Sequence, residues 1–282
     1  MDMILEKELK NPSIFKDESK IGFDYVPEKL LHREKHFSFM VKCFRNFINK
    51  PGSVSENILI IGKQGSGKTV LAKRFGASCK TISKKNKISL EYIHVNCRLE
   101  KTSYRIVLQI LKKIGIEVSS RGFSYSELLE VLLNEIKIKE ILLILILDEI
   151  DYLQRDCYQL LYDLLKSNEN ILDVHNYISI IAIANDLTFM ENFDDNLRSV
   201  FLCNKISLNP YNKQQIFDIL EERSKICFYE GSISHSLLHK IATISESKSD
   251  LRYAIDLLRK AAKIAEKNKS FTILPEYLEK IA

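Results

Sequence analysis

The chain has 282 residues, of which 45% are apolar and 28% charged, with a formal charge of +5. That length can bury a large core in two domains, and the ordinary globular composition excludes a disordered or fibrous chain. The longest apolar run, residues 141–147, is far too short to cross a bilayer, and residues 1–20 are too charged to hold the apolar core of a leader peptide, so no membrane partner is expected.

Taken in order, residues 1–20 are polar without sustained periodicity and are expected to form a loose arm. Pro27 fixes an extended approach and can open a helix over about residues 28–49, with Leu30, Leu31, Phe37, Phe39, Met40 and Phe44 as its apolar surface. Pro51 and Gly52 stop it. The apolar run Ile58 to Ile61 then breaks into a glycine-rich loop, followed by a helix over about residues 70–77 and a basic turn over 80–87. Residues 90–96 read as a strand. Residues 102–114 carry Ile106, Val107, Ile110, Leu111 and Ile114 at helical spacing. After a turn at residues 119–122, Ser124 or Ser126 caps a helix reaching about Ile136. Residues 141–147 and 178–184 have the unbroken apolar character of strands covered on both faces. A helix over 157–165 and a weaker strand near 204–208 complete an alternating pattern, which predicts a doubly wound α/β domain. From residue 209 the pattern becomes helical, at 214–228, 234–244 and 251–267, with a further helix beginning near Tyr277.

The loop Gly62, Lys63, Gln64, Gly65, Ser66, Gly67, Lys68, Thr69 fits G-x-x-x-x-G-K-[ST]. Backbone N–H groups must converge there on phosphate oxygens, and glycine removes the Cβ from the bend. The following helix, from Val70, adds partial positive charge at its start. Lys68 can reach β- and γ-phosphates, and the Thr69 hydroxyl can ligate Mg²⁺. The alternative is an ordinary strand–turn–helix corner.

Asp148 and Glu149 end the third strand, where a Mg²⁺-water ligand and a water-polarising carboxylate are expected. Two solvated loop carboxylates are the alternative, and Asp151 reads as a helix-start acid. Asn185 tips the next buried strand, as a phosphate or water contact or as a simple turn residue. Arg252 opens a later helix, as a γ-phosphate cation or as a solvated arginine. The six cysteines form no C-x-x-C pair, which points to reduced thiols in a cytosol.

Together these segments resemble an AAA+ ATPase, and more narrowly the archaeal and eukaryotic replication initiators of the origin-recognition and cell-division-control type. The resemblance rests on Tyr25, Val26, Pro27, Leu30 and His32 to Glu34; on the phosphate loop; on Val95 to Arg98 with Thr102 and Tyr104; and on Leu147 to Leu153. It continues through Asn185 and Asp186, Pro210 and Tyr211 with Arg223, and Arg252 to Ala254 with Leu257 and Leu258. It implies a five-stranded parallel base over residues 21–208 and a helical lid over 209–282. ATP or ADP with Mg²⁺ would be bound by residues 62–70, with Tyr25, Val26 and Tyr211 beside the adenine and Arg223 in the same set. Thr69 and Asp148 would serve the metal, Glu149 the hydrolytic water, Asn185 the sensor of the base and Arg252 that of the lid. An element rich in basic residues, with Arg98, Arg105, Lys112, Lys113 and Arg121, would meet duplex DNA.

The implied function is an initiator that binds double-stranded origin DNA and recruits or loads the MCM helicase, with slow ATP hydrolysis as a switch. Implied partners also include further copies or other initiator subunits, in the cytoplasm or on an archaeal nucleoid. The family's C-terminal winged-helix domain is not reached. Its usual glycine before the lid sensor's aspartate is Ser249 here, and Arg198 is the candidate for an arginine donated to a neighbour's nucleotide. A protein-remodelling ATPase without DNA contact is the competing class.

Overall fold

The computed structural model describes residues 13–118, 122–153, 157–166 and 176–281. The chain divides into two compact units. An α/β unit holds residues 33–63 and 67–208; a helical unit holds residues 13–32, Gln64–Ser66 and residues 209–281.

The α/β unit is built on five parallel strands: β1 (Ile58–Gly62), β2 (Leu90–Asn96), β3 (Leu142–Asp148), β4 (Ile178–Ala184) and β5 (Lys205–Leu208). They lie in the order β2-β3-β4-β1-β5. Every residue of β3 and β4 is buried, which explains their lack of polar alternation: helices cover both faces of a parallel sheet. The register places Asn96 beside Asp148, Leu147 beside Ala182, and Ile61 beside Ala184. The carboxyl ends of β3, β4 and β1 therefore share one edge.

The flanking helices are α1 (Glu34–Asn49), α2 (Lys68–Lys85), α3 (Ser103–Lys113), α4 (Tyr125–Ile138), α5 (Cys157–Lys166) and α6 (Asp195–Leu202). Two expectations need correction, and a third feature was not foreseen. The helix foreseen from residue 28 begins at Glu34, because His32 turns through φ +62°, and Phe39 is exposed while Met40, Phe44 and Phe47 carry the buried face. The basic stretch after Lys80 continues α2 as far as Lys85. The third is α6, capped by Asp194 and anchored by buried Phe201, which its short length concealed. Gly76 lets α2 close on the sheet, since an added Cβ would lie 2.6 Å from the Tyr92 ring. Ser124 and Glu127 form a reciprocal capping box on α4.

The helical unit contains α7 (Lys213–Cys227), α8 (His235–Glu246), α9 (Leu251–Lys267) and α10 (Pro275–Glu279). Along α9, Ala254, Leu257, Leu258, Ala261, Ala262 and Ala265 recur at helical spacing and are fully buried or nearly so. The expected loose arm is corrected for its described part. Ile14, Phe15 and Ile21 are buried in this unit's core, Phe15 stacks on Phe228 at 5.0 Å, and the N–H groups of Lys16 and Asp17 donate to the Cys227 carbonyl. Apolar burial overcomes the entropy of ordering this stretch. Among the described residues, no helix is long and apolar enough to cross a membrane.

Candidate functional site

The loop after β1 bends through left-handed backbone at Gly65 (φ +76°) and Gly67 (φ +91°), a region that penalises any Cβ. Lys68 is the first residue of α2 and is buried. Its ammonium donates to the Gly62 carbonyl at 2.5 Å, to the Lys63 carbonyl at 3.1 Å and to Asn185 Oδ1 at 3.3 Å. One turn of chain thus folds the cation back over its own loop. Val70 follows, half-buried, in the same turn; Gln64, Gly65 and Ser66 group with the helical unit.

Asp148, at the end of β3, accepts from three different residues. The Thr69 hydroxyl donates to its Oδ2 at 2.7 Å, and the Glu149 N–H to its Oδ1 at 3.0 Å. His94 Nε2, on the neighbouring strand β2, lies 3.0 Å from the same Oδ2; an ionised carboxylate only accepts, so the ring nitrogen is the donor. Burial pushes the Asp148 carboxyl up, but the bonds from His94 and Thr69, the charge of His94 and the Glu149 N–H outweigh it and hold the group below its ordinary value. Thr69 and Asp148 therefore present two adjacent hard oxygen donors, which suits Mg²⁺. Among the described residues no group of three or more His, Cys, Asp or Glu could hold a metal ion.

Glu149 itself is strained, with φ +55° and ψ +46° in a non-glycine residue. It opens a 3-10 turn over Ile150–Tyr152, pinned by buried Ile150. Asp151 in that turn is not a mere helix-start acid. It accepts the Asn185 backbone N–H at 3.0 Å and the Asn185 side-chain amide at 2.7 Å. Burial raises its carboxyl above the ordinary value, against those bonds. Residue spacing marked Asn185, Asp148, Lys68 and Thr69; it missed His94 and Asp151, whose partners are fixed by strand order rather than by any local pattern.

The Arg198 Nε donates to the Met190 carbonyl and its Nη2 to that of Glu191, both at 2.9 Å. It staples the 3-10 turn Thr188–Asn192 to α6. In the helical unit, buried Arg223 lies 4.7 Å over the Tyr25 ring and donates to the Lys20 carbonyl. Tyr211 is buried in that unit's core, and Val26 is half-buried. Arg252 is exposed, with its N–H on the α9 cap Asp250. Ser249, where the family's usual glycine stands, takes φ +54° and so puts a strained serine just before the Asp250 cap of α9.

A family model described as the Cdc6 AAA+ ATPase-type lid domain matches residues 217–281, and one described as an AAA domain matches residues 53–185. An ORC1-type DNA replication protein of Thermococcus kodakarensis is 32% identical over 99% of this chain and 68% of its own. Another, of Desulfurococcus amylolyticus, is 31% identical over 99% of this chain and 71% of its own. The chain belongs to the archaeal ORC1/Cdc6-type replication initiators. The Aeropyrum pernix ORC1 protein, solved in complex with DNA, superposes with a TM-score of 0.86 at 28% identity, over 95% of this chain and 69% of that one.

In this initiator the basic residues expected to meet DNA are unevenly disposed. Lys112 is exposed on α3. Arg105 pairs with Glu100 at 2.9 Å, and Arg98 lies 5.0 Å over the Tyr152 ring. Lys113 is turned onto the His94 carbonyl at 2.5 Å, and burial, then the charge of Lys73, pulls its ammonium below its ordinary value. Arg121 lies outside the described residues.

Proposed function

We propose that this initiator binds ATP, assembles on double-stranded origin DNA and recruits or loads the MCM helicase, with slow hydrolysis as the switch. The observation that carries the nucleotide half is the bonded edge in which Lys68, Thr69, Asp148 and Asn185 meet from β1, β3 and β4. Lys68 donates to loop carbonyls and one amide oxygen, and a triphosphate offers it charged oxygens in their place. Thr69 and Asp148 would hold Mg²⁺, which supplies charge neutralisation for the phosphates when bound. Glu149 orients and polarises the attacking water, and Asn185 contacts the γ-phosphate or that water. Arg252 serves as a γ-phosphate cation, and Tyr25, Val26, Tyr211 and Arg223 as adenine-side residues. Arg198 as a donated arginine requires its two carbonyl bonds to open.

The DNA half is supported by family membership and by the DNA complex of the Aeropyrum pernix relative. Fluorescence anisotropy with duplex DNA, with ATP and with ADP, tests it. Binding that weakens steeply with salt is expected; no binding at low salt in either nucleotide state sinks it. For the nucleotide half, Glu149→Gln should retain ATP and lose roughly a hundredfold or more in turnover. Equal, near-zero rates in both proteins would leave a nucleotide binder that does not hydrolyse.

One observation favours a second reading, an AAA+ ATPase acting on protein partners without DNA. Lys113 and Arg105 are already engaged within the α/β unit. Charge reversal at Lys112 separates the two: undiminished DNA retention supports the second.

A further inference from the structure

We propose that Asp151 is a positioning residue that sets the polarity of the Asn185 amide and keeps it set after Lys68 has turned to phosphate. The inference deepens the reading of Asn185 above and rests on it. An asparagine amide has two ends of nearly equal shape and opposite hydrogen-bonding character. A carboxylate accepts only, so the end facing Asp151 Oδ2 at 2.7 Å is the NH₂, and a flipped amide would set oxygen against oxygen. At the other end Asn185 Oδ1 takes the Lys68 ammonium at 3.3 Å. A cation and an anion thus hold the amide from opposite sides.

The two holders are not equivalent. Lys68 is the group expected to move to the β- and γ-phosphates, and its departure leaves Oδ1 without that cation. Asp151, an anion, is not drawn to the phosphates. It also accepts the Asn185 backbone N–H, at 3.0 Å to Oδ2 and 3.3 Å to Oδ1, which ties the end of β4 to the turn after β3. That turn is anchored by Ile150 and Leu153, both buried in the sheet core. The carboxylate is therefore fixed to the scaffold, and the amide oxygen stays turned to the Lys68 side when the lysine leaves. A misplaced polar group at this edge reduces turnover more than affinity, because most of the phosphate grip comes from the loop.

The test uses four proteins: wild type, Asp151→Asn, Asn185→Ala and the double variant. Single-turnover ATP hydrolysis and fluorescent-nucleotide affinity are measured for each. Asp151→Asn presents either polarity and should cut turnover about tenfold or more, with affinity within about threefold. Adding Asn185→Ala should cost no more than about twofold further, since both changes disable one device. A second readout needs only wild type and Asn185→Ala. With asparagine labelled by a heavy nitrogen isotope, the side-chain amide signal lost in Asn185→Ala should be shifted downfield and slow to exchange in wild type.

Wild-type turnover in Asp151→Asn, fully multiplicative losses in the double variant, or an Asn185 amide signal typical of free solvent-exposed amides each overturns the proposal. Slow Asn185→Ala with fast Asp151→Asn overturns this inference alone. Wild-type turnover in Asn185→Ala removes the reading of Asn185 itself, and this inference with it.

Discussion

At the carboxyl edge of the α/β unit, side chains far apart in sequence bond directly: Thr69 to Asp148, His94 to Asp148, Asn185 to Asp151. In the helical unit the polar bonds are mostly caps and one-turn pairs, such as Asn212 with Gln215, Ser234 with Leu237 and Asp256 with Lys260. What joins those helices is mainly apolar, above all the alanine and leucine face of α9, with a few polar pairs such as Lys240 with Glu279. Chemistry collects where a parallel sheet brings strand ends together; a helical unit with local polar bonds is a packing device first. The four substitutions below probe that contrast.

The largest effect is expected from Leu145→Ala in β3, fully buried between helix layers. It should cost about 3 kcal/mol, seen as a lower denaturation midpoint with an unchanged denaturant slope. A loss below about 1 kcal/mol would mean the sheet core collapses around the gap far better than a close-packed interior allows. Next, Phe15→Ala removes the stack on Phe228 and should destabilise the helical unit by about 3 kcal/mol, the low end for a buried phenylalanine. Limited proteolysis near residue 15 should accelerate with it; a silent substitution would restore the loose arm.

Asp148→Asn comes third. It replaces an acceptor of three donors with a group that is half donor, at about 1–2 kcal/mol near neutral pH. Because the folded Asp148 sits below its ordinary value, its contribution is complete above the unfolded carboxylate's value of about 4 and is lost as the pH falls through the lower folded value. The gap between wild type and variant should close on acidification below about pH 4; a gap that widens there contradicts the assignment. The smallest effect is a gain. Ser249→Gly relieves a left-handed serine at the start of α9 and should add up to about 1 kcal/mol, offset in part by the freer unfolded chain. A thermal melt decides its sign.

Much was legible before any coordinates. The phosphate loop is a local code, because successive N–H groups must converge within a few residues, and it lies where expected between β1 and α2. β2 and β4 occupy residues 90–96 and 178–184 as anticipated, and α9 occupies 251–267, since unbroken apolar runs and a long stripe of helical period each have one way to be buried. The start of α1 was less legible. His32 adopts left-handed backbone that composition does not announce.

By itself the amino-acid order determined most of the elements, the parallel sheet and the acids at its edge, because those follow from periodicity and from the local chemistry of glycine, lysine and aspartate. Only the tertiary structure decided that His94 serves Asp148, that Asp151 holds Asn185, and that residues 13–32 fold with the helical unit. The reason is physical. Those facts depend on which strand lies beside which and on which apolar surface finds a vacant core, and both are set by contacts between residues too distant in the chain for any short pattern to record.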